Sequence, residues 1–263
     1  MPRHQRIRSK SGCYHIMIRG NERKNIFYDD EDRQKFIEII KEKKQGKIFY
    51  LHAFCLMTNH VHMMLSEGVE DVARVMKRIT VSYVYYFNKK YQRIGHLFQD
   101  RYKSEEVEDE RYALSLARYI HQNPLKAGMV KALRDYKWSS YSSYLEEDNY
   151  FNRILDRDMI LGMFSDDMAM AKKEYERYMN EETTDIFLDL QEDKEVIDED
   201  RTRALFTDML LQRGIRLETG TKVVVPDGLI REFREKTNLS IRKIAAITGM
   251  NKDKINKIIN SRQ

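Results

Sequence analysis

No apolar stretch in this 263-residue chain approaches the roughly 20 residues needed to cross a bilayer. No hydrophobic segment follows its basic first residues to make a secretion signal. These absences exclude an integral membrane protein of the helical kind and lead us to expect no membrane partner and a cytoplasmic location. Cysteine is scarce: Cys13 and Cys55 stand alone, without a CxxC pair, which excludes a disulfide framework and a cysteine metal site and suits two reduced core thiols. No internal repeat or low-complexity tract is visible. Neither sign of charge dominates either, since the formal net charge is only +5.

That modest total hides three blocks. Residues 1–145 carry a net +10, residues 146–200 a net −13 and residues 201–263 a net +8. Hydrophobic residues make up 41% and charged residues 34%, enough apolar material for a core beneath a heavily charged surface. Two basic modules flanking an acidic one suggest a polyanion partner such as nucleic acid, although charge runs also arise as solvated helix faces. Three segments are therefore expected: a domain over 1–145, an acidic helical connector over 146–200 and a helical module over 201–263. A fragment ending near residue 145 is expected to fold alone.

Hydrophobic periodicity fills in the first segment. Residues 13–18 read as a strand closed by Arg19-Gly20-Asn21. Residues 29–44 start with acidic side chains, end with lysines and carry Phe36, Ile37, Ile39 and Ile40 at helical spacing. Two apolar runs, 48–57 and 61–66, flank Thr58-Asn59 as adjacent strands. A second long helix is expected over 69–91, a fourth strand over 97–107 and a third helix over 111–123, stopped before Pro124. The order β-α-β-β-α-β-α predicts an α+β fold, a ferredoxin-like antiparallel sheet with helices packed on it.

His60-Val61-His62 places two imidazoles two residues apart on a strand, and a period of two sends both to one face. Such a pair can chelate a metal, or simply be two polar positions in an apolar strand. Tyr119 and Asn123 are four residues apart and project together from a helix, as a core tyrosine and an ordinary helix stop also would. Position alone does not choose Tyr119 among 16 tyrosines.

An ordered set of motifs does choose it. Tyr14-His15-Ile16 with Arg19-Gly20-Asn21, then Asn59-His60-Val61-His62, then Phe98-Gln99-Asp100-Arg101-Tyr102-Lys103, then Tyr119-Ile120-His121-Gln122-Asn123-Pro124 with Ala127-Gly128, then Trp138-Ser139-Ser140-Tyr141 resembles the single-tyrosine HUH transposase family, closest to its REP-associated tyrosine transposase branch. The resemblance spans about residues 1–145. It implies a metal-dependent transposase that cleaves and rejoins single-stranded or hairpin DNA through a 5′-phosphotyrosine intermediate. Tyr119 matches the nucleophile, His60 and His62 match the metal-binding pair, and Asn123 matches the third ligand, where insertion-sequence relatives often carry glutamine. The implied cofactor is a divalent cation, Mg²⁺ or Mn²⁺. A phenol with a reference pKa near 10 needs a base or a cation beside it to act as a nucleophile at neutral pH. Arg3, Arg6, Arg8, Arg19, Arg23, Arg101 and Lys103 are the expected backbone contacts in this segment.

Residues 239–259 read as helix, tight turn, helix, with Ser240 and Asn251 as caps and Gly249 in the turn. This is the pattern of a helix-turn-helix DNA reader, with Lys252, Lys254, Asn256 and Lys257 toward duplex DNA, although any small helical bundle can share it. A non-catalytic DNA-binding regulator descended from such a transposase is the alternative function. The sequence leaves monomer or homodimer open.

Overall fold

In the computed structural model, Cys13–Arg19 (β1) is buried along its whole length, as a strand must be when helices cover both faces of its sheet. The structure describes residues 9–183, 187, 199–215, 225–237, 239 and 241–260. Arg3, Arg6, Arg8 and Ser240 lie outside the described residues. Two compact units divide the chain, Met1–Asp185 and Ile186–Gln263.

In the first unit β1 is followed by Asp30–Lys44 (α1), Phe49–Leu56 (β2), His60–Glu67 (β3), Val72–Lys90 (α2), Lys103–Glu106 (β4) and Glu110–Lys126 (α3). The strands form one antiparallel sheet in the order β2-β3-β1-β4. Three aspartates start the three long helices by accepting a backbone N–H three residues on: Asp29 from Asp32, Asp71 from Arg74 and Asp109 from Tyr112. Gly20 closes β1 where a side chain would not fit, since a Cβ there would meet the Lys24 carbonyl oxygen at 2.0 Å.

The sheet has two differently furnished faces. Across β1 and β3, Met17 pairs with His62 and Arg19 with His60, so these four side chains share one face with His15 and Met64. That is the face α3 covers. The alternate residues Ile16, Ile18, Val61 and Met63 are equally buried on the other side, where α1 and α2 pack together.

Three expectations need correction. The fourth strand is shorter than 97–107: only Lys103–Glu106 pairs with β1, while Phe98 makes a single bridge to Gly20. Gln99 N–H reaches back to the Arg19 carbonyl, and the exposed Gln99, Asp100 and Arg101 lie between that bridge and the strand. The third helix runs through Asn123-Pro124 to Lys126. It loses only the hydrogen bond that Pro124 lacks, and Ala127 N–H still closes on the Asn123 carbonyl.

The third correction concerns the acidic connector expected over 146–200, in its part up to residue 183; residues 184–186 and 188–198 lie outside the described residues. Asp158–Gly162 (α4) and Met168–Met179 (α5) belong to the first unit, whose boundary falls at Asp185. Ala171, Tyr175 and Met179, at helical spacing, are fully buried, and α5 packs on α3. Asp156 holds the edge of β2, its backbone N–H donating to the Leu51 carbonyl and its carboxylate accepting from Leu51 N–H at 2.7 Å. Among the described acidic residues of this strap, Glu146, Glu147, Asp148, Asp158, Asp166 and Asp167 are exposed.

The second unit contains Glu199–Leu211 (α6), Asp227–Thr237 (α7), Ile241–Thr248 (α8) and Lys252–Asn260 (α9). Phe206, Leu210, Ile230, Phe233, Ile244 and Ile255 form its core. Gly249, at φ +67°, makes the turn between α8 and α9, and Asn251 Oδ1 accepts the Asp253 N–H at 2.7 Å.

Candidate active site

The face beneath α3 gathers three imidazoles and a phenol. His60 and His62 project from β3 with ring centroids 4.9 Å apart, as the period of two requires. His62 is fully buried and His60 half-buried. Tyr119, 1% exposed, descends from α3 and presents its ring to His62 edge-on at 5.5 Å and to His15 at 6.1 Å. The structure thus brings together the two histidines and the tyrosine that the sequence singled out. Asn123 lies one turn farther along α3, half-buried.

The protons on these rings follow from their neighbours. His60 Nδ1 lies 2.7 Å from the Asn59 carboxamide oxygen, an acceptor only, so Nδ1 donates and the lone pair falls on Nε2. Asn59 is itself fixed, donating to the Arg23 carbonyl at 3.1 Å. His62 Nδ1 lies 3.1 Å from His15 Nε2, and His15 Nδ1 lies 3.7 Å from Glu105 Oε2. With His15 neutral and its Nδ1–H on the side of the Glu105 carboxylate, His62 donates Nδ1–H to His15 Nε2. The lone pair of His62 then also falls on Nε2. The interaction with His15 holds the Glu105 carboxyl below the ordinary carboxylate range.

The helix carrying Tyr119 is clamped on both sides. His121 accepts or donates to Ser140 Oγ at 2.9 Å and to Tyr175 OH at 3.0 Å, and complete burial pushes its pKa down to about 3. Gln122 donates to the carbonyls of Met179 and Glu181 at 2.9 and 2.8 Å. Arg118 lies over the Tyr178 ring, 4.2 Å from its centroid, and pairs with Glu181 at 3.4 Å.

The basic residues divide. Arg19 is mostly buried and stands opposite His60, and Lys103, opposite Met17, shares the histidine face. Arg23 is half-buried in the turn after β1, and Arg101 is exposed. Lys252, Lys254, Asn256 and Lys257 are exposed on α9 of the second unit, while Ile255 and Ile258 turn into its core.

Sequence reasoning missed Glu105 and the roles of His15 and α5. His15 sat within a quoted motif, and its period-two relation to Met17 and Arg19 placed it on their face. Its contact with Glu105 depends on strand register, which only the folded sheet reveals.

Three comparisons bear on this arrangement. Residues 9–123 match the family model described as Transposase IS200 like. A Haemophilus influenzae protein assigned to the REP-associated tyrosine transposases is 24% identical over 162 residues, covering 57% of this chain and 91% of that one. A solved structure of a REP-associated tyrosine transposase bound to a REP hairpin shares 20% identity, covering 60% of this chain and 93% of that chain, with a TM-score of 0.47.

Proposed function

We propose that this chain, an IS200-like transposase by its residues 9–123 and a relative of the REP-associated tyrosine transposases, cleaves and rejoins single-stranded or hairpin DNA through Tyr119. The observation that carries the reading is the Tyr119 ring set edge-on against His62 beneath α3, on the face that also bears His60. The phenolic oxygen attacks phosphorus, forming one P–O bond as the bond to the 3′ oxygen breaks. The departing oxygen takes up a proton, leaving a free 3′-OH and a 5′-phosphotyrosine. One phosphodiester is exchanged for another, so the step reverses onto a second strand without external fuel.

The donor set fits a divalent cation. His60 and His62 each anchor Nδ1 on a neighbour and carry the lone pair on Nε2, the arrangement that fixes a histidine ligand. Among the described residues no group of three His, Cys, Asp or Glu could hold a metal, and the third protein donor proposed is of another residue type. The Asn123 carboxamide supplies one from the same helix as Tyr119. A bound Mg²⁺ or Mn²⁺ would polarise the phosphoryl group and offset charge in the in-line displacement. The protein's own groups orient the histidines, seat the phenol beside them and keep α3 in place.

Incubating the protein with single-stranded and hairpin oligonucleotides and Mn²⁺ tests the reading. The expected result is a covalent adduct whose digested peptide carries the nucleotide on Tyr119. An adduct on another tyrosine, or none with any divalent cation, rejects it in favour of a DNA-binding regulator.

The second unit supports a further part of the proposal, a helix-turn-helix reader of duplex DNA. Its support is the exposure of Lys252, Lys254, Asn256 and Lys257 on the outer side of α9, with the glycine turn before it. Changing the three lysines to Glu should abolish salt-dependent duplex binding and leave adduct formation on a hairpin intact. Unchanged duplex affinity would remove this part.

A further inference from the structure

The outer side of α2 bears a feature the histidine site does not use. Arg74, Lys77, Val81, Tyr85 and Lys89 follow one another at three- and four-residue intervals, so they form one stripe on the helix, opposite the buried Val75, Ile79 and Tyr83. Two grooves of about 1520 and 840 Å³ run along this stripe. They share Thr80, Val81, Arg101 and Tyr102, so they form one continuous channel between α2 and the segment leading into β4.

Its chemistry is uneven in an informative way. Tyr85 is 72% exposed and Val81 60% exposed, one turn apart on a helix whose other face is dry. Arg78 is engaged by Glu70 at 2.8 Å and Lys43 by Glu42 at 2.7 Å. Arg74, Lys77, Lys89 and Arg101 line the channel with no carboxylate within ion-pair distance among the described residues. Among the described residues that line it, Asp100 is the only acidic one. From Arg74 to Lys89 the stripe is about 22 Å long at 1.5 Å per residue. A row of cations flanking an exposed ring suits a polyanion whose flat bases are unpaired.

We infer that this channel holds a single-stranded stretch of the DNA substrate, with phosphates along Arg74, Lys77, Lys89 and Arg101 and a base stacked on Tyr85. The inference rests on the proposed DNA chemistry but concerns a separate surface. Duplex DNA is disfavoured as the occupant because its bases are stacked inside and would leave Tyr85 without a partner.

The test measures affinity of the full chain for two labelled probes: a blunt hairpin, and the same hairpin carrying a single-stranded extension of about 12 nucleotides. Tyr85→Ala should weaken binding of the extended probe about tenfold, leave the blunt hairpin unchanged, and be rescued by Tyr85→Phe, which keeps the ring. Arg74→Ala with Lys77→Ala should lower the slope of log affinity against log salt for the extended probe by about 1.4, at roughly 0.7 per phosphate contact. All three positions are surface positions, and circular dichroism checks that the variants fold. Equal losses on both probes, or none on either, overturn the inference. So does a Tyr85→Ala variant that loses concentration-dependent self-association while keeping its DNA affinity, since the groove would then seat a second copy. If the parent forms the Tyr119 adduct yet gains nothing from the extension, this inference alone fails. If no adduct forms but the extension effect and its loss are seen, the channel stands and the cleavage reading fails.

Discussion

On one side of the sheet α1 and α2 close over Phe27, Phe36 and Tyr83, whose rings meet at 5.1 to 5.6 Å. On the other side α3 closes over His15, His62 and Tyr119 at 5.4 to 6.1 Å. The spacings are similar and the chemistry is not. The first cluster carries one polar group, the Tyr83 hydroxyl, which donates to the Ile26 carbonyl at 2.6 Å. The second is built from ionisable rings linked to Glu105. Buried polar groups cost stability unless they are hydrogen-bonded, so a fold that needed only a core would use the first solution twice. The contrast agrees with the proposed site on the α3 face, and it extends to the supports: α1 and α2 hold each other, whereas α3 is held by α5 through His121, Gln122 and Arg118.

The largest expected effect comes from removing that support. Ending the chain after Leu145 deletes Phe151, Ile160, Leu161 and Met179 from the core. At about 1.5 to 3 kcal/mol for each buried side chain, the loss is on the order of 10 kcal/mol, comparable to the whole stability of a domain. The fragment should be unfolded or aggregated by circular dichroism, whereas one ending after Thr183 should fold. A stable, cooperative 1–145 fragment would restore the boundary expected from charge and make α5 an accessory.

Next comes the pair of tyrosines that represent the two faces. Tyr119→Phe should reduce covalent adduct below detection while binding and melting temperature stay close to the parent. Tyr83→Phe should do the reverse, keeping adduct formation and losing about 1 to 3 kcal/mol because the buried Ile26 carbonyl loses its donor. Denaturant unfolding together with adduct yield separates them. If both variants lose both properties, the two faces are not functionally distinct.

A smaller effect should follow from the groups behind the histidines. Glu105→Gln or His15→Ala should weaken Mn²⁺ binding by about 10- to 100-fold, the usual result of removing a partner behind a ligating histidine, and slow cleavage in proportion. Calorimetric titration with Mn²⁺ measures the first directly. Unaltered Mn²⁺ affinity would reduce Glu105 and His15 to packing. Replacing His62 itself is a less clean probe than the sequence implied, since it is fully buried and its removal also leaves a cavity.

What could be read in advance follows the range of each interaction. Local signals were strong: the three aspartate caps, the helical stripe of α2 and the period of two at His60 and His62 are written within a few residues of one another. The helix stop at Pro124 was misplaced because a proline in the last turn forfeits one hydrogen bond without ending the helix. Within the connector expected over 146–200, the packing of 158–179 was missed because net charge reports the solvent face, while Ala171, Tyr175 and Met179 report the buried one. Glu105 was invisible because only the antiparallel pairing of β1 with β4 sets it opposite His15.

The smallest effect expected separates a structural histidine from the proposed nucleophile. His52 lies at the bulge of β2, buried, with Nδ1 near the Asp156 carbonyl at 3.1 Å and Nε2 near Ser66 Oγ at 2.8 Å. Burial lowers its pKa below the ordinary 6.5. The unfolded chain therefore binds a proton below pH 6.5 that the folded chain refuses until lower pH. The stability associated with the neutral ring is fully present above 6.5 and declines as pH falls below it, by at most about 1.4 kcal/mol per pH unit for one proton. His52→Gln keeps a polar side chain and removes the titration, so the decline in unfolding free energy between neutral and mildly acidic pH should be shallower than in the parent. Adduct formation at neutral pH should be unchanged, because His52 touches neither Tyr119 nor the His60 and His62 pair. Urea unfolding across that pH range decides the matter: an equally steep decline in the variant would assign the acid sensitivity to other groups.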